Sequence, residues 1–340
     1  MPRLPPPART ILVIKLGGLG DVFQATAVLA PLRAAYPDAP IDFLVEAAAA
    51  AAIERDPRVR RVLRLDKQTM SSLDTIRLVR RGHYDLVIDL YGNPRSAILT
   101  FLSGAKRTVG LAYGWRGRLY GITAETRRAE LPGAEVNLQA LRAMGLPAEA
   151  PGRLPFPLPA EAVAKAAAFW QANGLTGQFV LGLLATGSWP AKRAAPAMLA
   201  AMAQAINEPR GGRVVLIGGP GDQADLHEVH ALYPTATLLA PLGALPDALA
   251  LAARCTLLLA NDSGPMHLAS GFGVPILTLY GPTAPEGAYG PEHGAIWLEG
   301  LPCLVCNRLH CPVPGHPCMT QIPAAGAAAK ATELLARAER

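Results

Sequence analysis

The sequence predicts an α/β protein made of two doubly wound domains. Three observations predict it. Short apolar or β-rich runs alternate with longer stretches of helical period along the whole chain, as in parallel sheets covered by helices on both faces. At 340 residues the chain exceeds the usual single-domain size, so two domains of roughly 150 residues are expected. Between Pro151 and Pro159 four prolines fall within nine residues, and such a stretch cannot continue a helix. The expected division is 1–155, 156–320, and a terminal segment 321–340 read as a helix that packs back on the front domain.

In the front half, strands are expected near 11–16, 41–46, 61–66, 85–90 and 106–110. The first is the apolar run Ile11–Ile14. A helix is expected from Asp21 to Tyr36, because Val22, Ala25, Leu29, Leu32 and Tyr36 recur at three- and four-residue spacings and form one buried face. The alanine run Ala47–Ala52 is compatible with a helix. In the rear half, strands are expected near 179–184, 213–218, 236–240, 256–261 and 275–280. In open sheets of this kind ligands bind at the carboxyl ends of strands, so residues directly after strands are the ones to inspect.

Composition narrows the function classes. Half the chain is hydrophobic, at 51%, but the longest apolar stretch, Leu239–Ala253, is broken by Pro241, Pro246 and Asp247, which rules it out as a membrane span. The amino terminus, MPRLPPPARTILVIKL, carries prolines where a secretory signal needs a continuous apolar core, and the protein is read as cytoplasmic. Charge is uneven. Residues 1–150 hold 21 lysines and arginines against 14 acids, a net of +7, while residues 151–340 hold 11 against 12, a net of −1. A basic front half, with clusters such as Arg58, Arg60, Arg61 and Arg64, suits anionic partners, although solvated arginines on surface helices explain much of it.

Four polar segments follow strands. The first is GGLGD, Gly17–Asp21. It has neither the Lys-Ser/Thr of a P-loop nor the last glycine of a dinucleotide fingerprint, since Phe23 stands there. A helix mouth that already holds its own carboxylate repels a phosphate. Asp21 is instead suited to accept a proton from a hydroxyl nucleophile; taken alone, the stretch is slightly better explained by a helix cap. The second is ATGSWPAKR, Ala185–Arg193. Thr186, Gly187 and Ser188 allow close approach, and Lys192 and Arg193 bring positive charge fit to hold a diphosphate; a basic surface turn with Trp189 in the core is the alternative. The third is GGPGD, ending at Asp222, a carboxylate placed to take ribose hydroxyls or simply to cap a helix. The fourth, NDSGPMH, delivers Asn261, Asp262 and Ser263 to a strand end, with Gly264 and Pro265 opening a helix and His267 in its first turn. Here a ligand site is favoured over a structural histidine.

Together, KLGGLGDVFQATAVL, SWPAKR, GGPGD and NDSGPMHLASGFGVPILTLYGPT resemble glycosyltransferase family 9, the ADP-heptose:lipopolysaccharide heptosyltransferases, in order and over nearly the whole chain. The resemblance implies GT-B architecture, with two Rossmann-like domains facing across a cleft, and transfer with inversion and no catalytic metal. It implies that Asp21 is the general base, that Lys192 neutralises the leaving diphosphate, that Asp222 binds ribose, and that Asp262, Ser263, Gly264 and His267 hold the donor. Implied partners are ADP-heptose and a lipopolysaccharide core acceptor met at the inner face of the membrane, and no nucleic acid. Ala194 stands where family members commonly carry an aromatic residue, and Asp222 where a glutamate is frequent. A protein acceptor, another nucleotide sugar, or a non-catalytic nucleotide-sugar-binding or metal-dependent scaffold are the competing readings.

CLVCNRLHCPVPGHPCM, Cys303–Met319, spaces Cys303, Cys306, Cys311 and Cys318 as C-x2-C-x4-C-x6-C, with His310 and His316 between. In a reducing compartment this density favours metal over disulfides, so a structural zinc or iron on the four thiolates is expected. Similar clusters occur in members of the family it resembles, including ones that hold iron. The paired C-x2-C knuckles of a nucleic-acid zinc ribbon are absent. Cys255 is assigned to a strand core.

Overall fold

A computed structural model of the chain describes residues 8–66, 68–111, 113–126, 131–285, 290 and 292–338. They fall into two compact units, Met1–Phe156 and Pro157–Arg340, so the division lies inside the proline-rich stretch. Each unit is built on one six-stranded parallel sheet.

The first sheet comprises β1 (Ile11–Lys15), β2 (Ile41–Glu46), β3 (Arg61–Leu65), β4 (Leu86–Asp89), β5 (Arg107–Leu111) and β6 (Ile122–Ala124), in the order β3-β2-β1-β4-β5-β6. Its register sets Ile11 of β1 opposite Ile41 on one side and Leu86 on the other. β1 is buried along its full length, and its apolar run is continuous because both faces are covered. Helices α1 (Leu19–Ala25), α2 (Leu29–Ala35), α3 (Ser72–Arg81), α4 (Pro94–Phe101) and α5 (Gly133–Ala143) connect the strands. The helix expected from Asp21 to Tyr36 is interrupted by a 3-10 turn at Thr26–Val28. Pro31 explains the break, having no N–H to donate one turn back and a ring that crowds the carbonyl there. Its predicted face holds: Val22, Ala25, Leu29, Leu32 and Tyr36 are all buried. The run Ala47–Ala52 is likewise 3-10 rather than α-helical. α3 and α4 start on side-chain caps, Ser71 accepting the Asp74 N–H at 3.1 Å and Asn93 the Ser96 N–H at 2.7 Å. Val79 of α3 and Leu99 of α4 share one core cluster with Leu12, Ile14, Leu44 and Val87, so the two helices cover the same face of the sheet.

The second sheet comprises β7 (Val180–Leu184), β8 (Arg213–Ile217), β9 (Thr237–Leu239), β10 (Leu257–Asn261), β11 (Ile276–Tyr280) and β12 (Gly294–Trp297), in the order β12-β11-β10-β7-β8-β9. Counted from its own first strand this is 3-2-1-4-5-6 again, the doubly wound order. Its helices are α6 (Ala160–Ala172), α7 (Pro196–Asn207), α8 (Gln223–Leu232), α9 (Leu245–Ala252), α10 (Gly264–Ala269) and α11 (Ala324–Ala338). Ala327, Ala331 and Leu334 of α11, one helical stripe, enter the second unit's core beside Leu199, Met202 and Ile206 of α7. Among the described residues no helix is long and apolar enough to cross a membrane.

The sequence reading omits one strand from each sheet, β6 and β12. Both are edge strands of three and four residues, too short to display a period-two pattern.

Candidate functional site

In each unit the strand order reverses between the first and fourth strands, and a crevice opens there at the carboxyl ends. In the second unit these strands are β7 and β10, and the residues that leave them meet. Asn261 ends β10, and its amide locks the two exits together: Nδ2 donates to the Ala185 carbonyl at 3.1 Å, and Oδ1 accepts the Ala194 N–H at 3.2 Å. That bond also shows what Ala194 does at the position where an aromatic residue was noted: it is buried and pinned by its backbone. Ser263 precedes α10 but leaves the helix uncapped. Its hydroxyl lies 3.0 Å from that of Thr186, which follows β7.

Asp262 is the centre of this mouth. Lys192 Nζ donates to its Oδ2 at 2.6 Å, as does the Thr283 hydroxyl at 2.6 Å, and His267 Nε2 stands 3.5 Å from Oδ1. Burial alone would raise the Asp262 pKa, but the His267 hydrogen bond and the Lys192 ammonium outweigh it and hold the carboxyl well below the usual carboxylate range. Lys192 is therefore fixed beside a permanent anion. It also sits over the Trp189 ring, 4.9 Å from the centroid, so Trp189 is a platform for the ammonium rather than a core residue. Thr283 went unassigned in the sequence, although it too follows a strand exit, that of β11. Gly187 is half-buried and Ser188 exposed; neither side of the loop is drawn into the cluster as Thr186 is.

The expected pair of cations after β7 divides. Lys192 faces Asp262, whereas Arg193 turns the other way and binds three groups: the Gly187 carbonyl at 2.9 Å, Asp222 at 2.8 Å and Asp225 at 2.7 Å. Asp222 also accepts the Gly219 N–H at 3.0 Å and is 8% exposed. The carboxylate expected to take ribose hydroxyls is thus tied to a cation and to a backbone cap. Asp225, in the first turn of α8, was missed because it looks like an ordinary first-turn acid.

In the first unit, Asp21 folds back over Gly17 and Gly18 and accepts the Gly18 N–H at 3.2 Å. Among the described residues this is its one side-chain hydrogen bond, and it is half-buried. Beneath the loop, Lys15 at the end of β1 donates to the Leu90 carbonyl at 3.0 Å and to Asn137 Oδ1 at 3.1 Å. It thereby joins β1 to the exit of β4. Asp89 closes that exit. It accepts the Tyr91 and Gly92 N–H groups and the Tyr120 hydroxyl, while burial pushes its carboxyl pKa up.

The cysteine segment forms a strap over the second unit. Val305 N–H donates to the Gly281 carbonyl at 3.0 Å, Asn307 N–H to Pro282 at 2.7 Å, and the Ala191 N–H to Leu309 at 3.1 Å. His316 Nε2 is 2.9 Å from the Ala191 carbonyl, which places it against the turn that carries Lys192. All five cysteines are free thiols. Cys318 is buried, and burial together with the neighbouring Cys311, Cys303 and Cys306 pushes its thiol up to about 11. Yet among the described residues no three His, Cys, Asp or Glu side chains are gathered to hold a metal ion. Of the four thiols expected as a ligand set, Cys306 is exposed, while Cys318 is packed into the core beside Met319. His310 is exposed. Cys255 lies two residues before β10, with its thiol donating to the Leu251 carbonyl at 3.4 Å.

Three known proteins frame this arrangement. Lipopolysaccharide heptosyltransferase 1 of Pseudomonas aeruginosa is 30% identical over 319 residues, 88% of this chain and 87% of its own length. The crystal structure of the family 9 glycosyl transferase from Veillonella parvula superposes with a TM-score of 0.79 at 26% identity, covering 97% of both chains. The structure of Escherichia coli ADP-heptose lps heptosyltransferase II superposes with a TM-score of 0.73 at 21% identity, over 97% of this chain and 100% of that one. Glycosyltransferase family 9 (heptosyltransferase) itself matches residues 73–316, a span that includes the whole Thr186–Lys192–Asp262–His267 mouth. The chain belongs to glycosyltransferase family 9, the heptosyltransferases, and is a glycosyltransferase.

Proposed function

We propose that the chain moves a heptosyl group from ADP-heptose to a hydroxyl of a lipopolysaccharide core acceptor, with inversion and without a catalytic metal. The observation that carries the reading is the mouth of the second sheet, where Lys192, His267 and Thr283 converge on Asp262 beside the Thr186–Ser263 hydroxyl pair. The ammonium of Lys192 has N–H groups beyond the one given to Asp262, and these suit phosphate oxygens. Asp262 stays ionised and holds that ammonium in place before the donor arrives, so little reorganisation is needed when charge develops.

On this reading the acceptor O–H passes its proton to Asp21 as its oxygen bonds to the anomeric carbon. The bond from that carbon to the diphosphate breaks, and ADP leaves with the electron pair, its added charge offset by Lys192 and the Thr186 and Ser263 hydroxyls. Asp21 fits the base role because a single backbone N–H engages it, leaving carboxylate lone pairs for a hydroxyl. The names of the Pseudomonas and Escherichia proteins support the choice of donor and acceptor. With this donor and a glycolipid acceptor, the proposed site of action is the cytoplasmic face of the membrane.

The test is incubation with ADP-heptose and a truncated lipopolysaccharide core, read by mass spectrometry. A gain of one heptose is expected. Transfer from another nucleotide sugar, or to a protein, with none from ADP-heptose to the core, contradicts the reading.

A further inference from the structure

Part of the basic excess of the front half gathers at the amino ends of the strands of the first sheet, the end opposite to the one Asp21 follows. A surface cavity of about 650 Å³ is lined by Arg77, Arg80, Arg81, His83, Tyr84 and Lys106, with Asp85, Ser103 and Gly104 completing its wall. These residues come from the end of α3, the turn before β4 and the turn before β5, so the cavity opens at the amino ends of the strands. Its one acid, Asp85, accepts the Arg9 N–H at 2.9 Å, and Arg77 pairs with Asp74 outside the cavity at 3.3 Å. Among the described residues, Arg80, Arg81 and Lys106 have no acidic partner. The positive surface continues beyond Tyr84, whose hydroxyl donates to Asp42 at 2.7 Å, to Arg60 and Arg61, two half-exposed guanidiniums that share that one carboxylate.

Apolar side chains stand beside this charge. Ile98, Phe101 and Leu102 lie at i, i+3 and i+4 on one stripe at the end of α4 and are 44%, 62% and 38% exposed. Phe101 and Leu102 run directly into the cavity residues Ser103 and Gly104, and α3 and α4 cover the same sheet face. Unpaired cations with exposed apolar side chains alongside are what an anionic bilayer surface selects, since headgroup phosphates attract the former and the acyl boundary takes the latter.

The geometry points to this amino edge, with Arg80, Arg81 and Lys106 around the cavity and the Ile98–Phe101–Leu102 stripe beside it, as a docking surface for anionic phospholipid. The inference deepens the glycolipid-acceptor reading and rests on it. A five-residue strand spans about 16 Å, the distance that separates this face from the Asp21 loop at the other end of β1.

The experiment is vesicle co-sedimentation of the full chain at low salt, with phosphatidylglycerol-containing and pure phosphatidylcholine vesicles. Beside it runs a transfer assay with a deacylated, lipid-free core acceptor. Wild type is expected on the anionic vesicles only. R80A/R81A/K106A is expected to bind them about a hundredfold more weakly, at about fivefold per basic residue near such a surface, and F101S/L102S to bind more weakly as well. Both variants should transfer normally to the lipid-free acceptor, which separates this inference from the function it rests on. Equal sedimentation of wild type and the triple variant overturns the inference. So does wild-type binding to neutral vesicles, saturable binding of inorganic pyrophosphate at the cavity without vesicle binding, or loss of a dimer in F101S/L102S without vesicle binding by wild type.

Discussion

Gly17–Asp21 and Gly218–Asp222, GGLGD and GGPGD, differ in one residue and build the same local turn. In both, the second glycine is extended and donates its N–H to the aspartate, at 3.2 Å in the first unit and 3.0 Å in the second. In both, the first glycine lies under the aspartate: an added Cβ would come within 2.7 Å of Asp21 Cβ and within 3.0 Å of Asp222 Cβ. Their surroundings differ. GGLGD follows β1, the strand at the switch point, and its carboxylate keeps one partner. GGPGD follows β8, one strand away from the switch point, and its carboxylate is clamped by Arg193. The capping turn is thus a backbone device that any helix start can use. Topological position and the neighbouring cation decide whether the acid is left free for a substrate.

The largest expected effect on activity among the neighbouring groups comes from Lys192→Ala. Removing the cation proposed to meet the departing charge should lower kcat by about 10²–10³, the cost of losing one preorganised electrostatic contact, and should also lower the melting temperature, because the buried Asp262 loses its ammonium partner; steady-state kinetics and thermal melts check it. Arg193→Met tests the clamp itself. It leaves Asp222 and Asp225 without their cation and should cost about 1–3 kcal/mol in denaturant unfolding, with a rise in KM for donor exceeding any fall in kcat. Gly17→Ala and Gly218→Ala probe the two turns in parallel. Each introduces a clash expected to cost about 1–3 kcal/mol, but only Gly17→Ala, which displaces Asp21, should also lower kcat.

The smallest effect is in the pH dependence. Asp262 has a depressed folded pKa, so it contributes stability that is present above its unfolded value of about 4 and is lost as pH falls through the lower folded value. Melts of wild type between pH 5 and pH 2 should therefore fall more steeply than those of Asp262→Asn. Parallel slopes would show that Lys192 and His267 do not hold the carboxylate ionised.

Much of this contrast was legible in the sequence, and its limits have physical causes. Apolar runs such as Ile11–Ile14 announced buried strands, and the stripe Val22, Ala25, Leu29, Leu32 and Tyr36 announced a helix face, because burial imposes those periods. NDSGPMH announced a polar cluster at a strand exit, and the structure gathers Lys192, His267 and Thr283 around its Asp262. What stayed hidden was pairing at a distance. Nothing local tells Lys192 from Arg193, or Asp21 from Asp222; the distinction arises from Asp262 lying 70 residues from one cation and Asp222 lying 29 from the other. The cysteine spacing likewise reports separation along the chain, and not the core packing that takes Cys318 inward.

The most direct measurement compares Asp21→Asn with Asp222→Asn in the ADP-heptose transfer assay. Either asparagine can still accept the capping N–H, so both proteins should fold. The account predicts that Asp21→Asn lowers kcat by about 10²–10⁴, as loss of a general base does, with donor binding retained, while Asp222→Asn keeps kcat and loses stability or donor affinity through its Arg193 clamp. Near-normal turnover by a folded Asp21→Asn protein would contradict it.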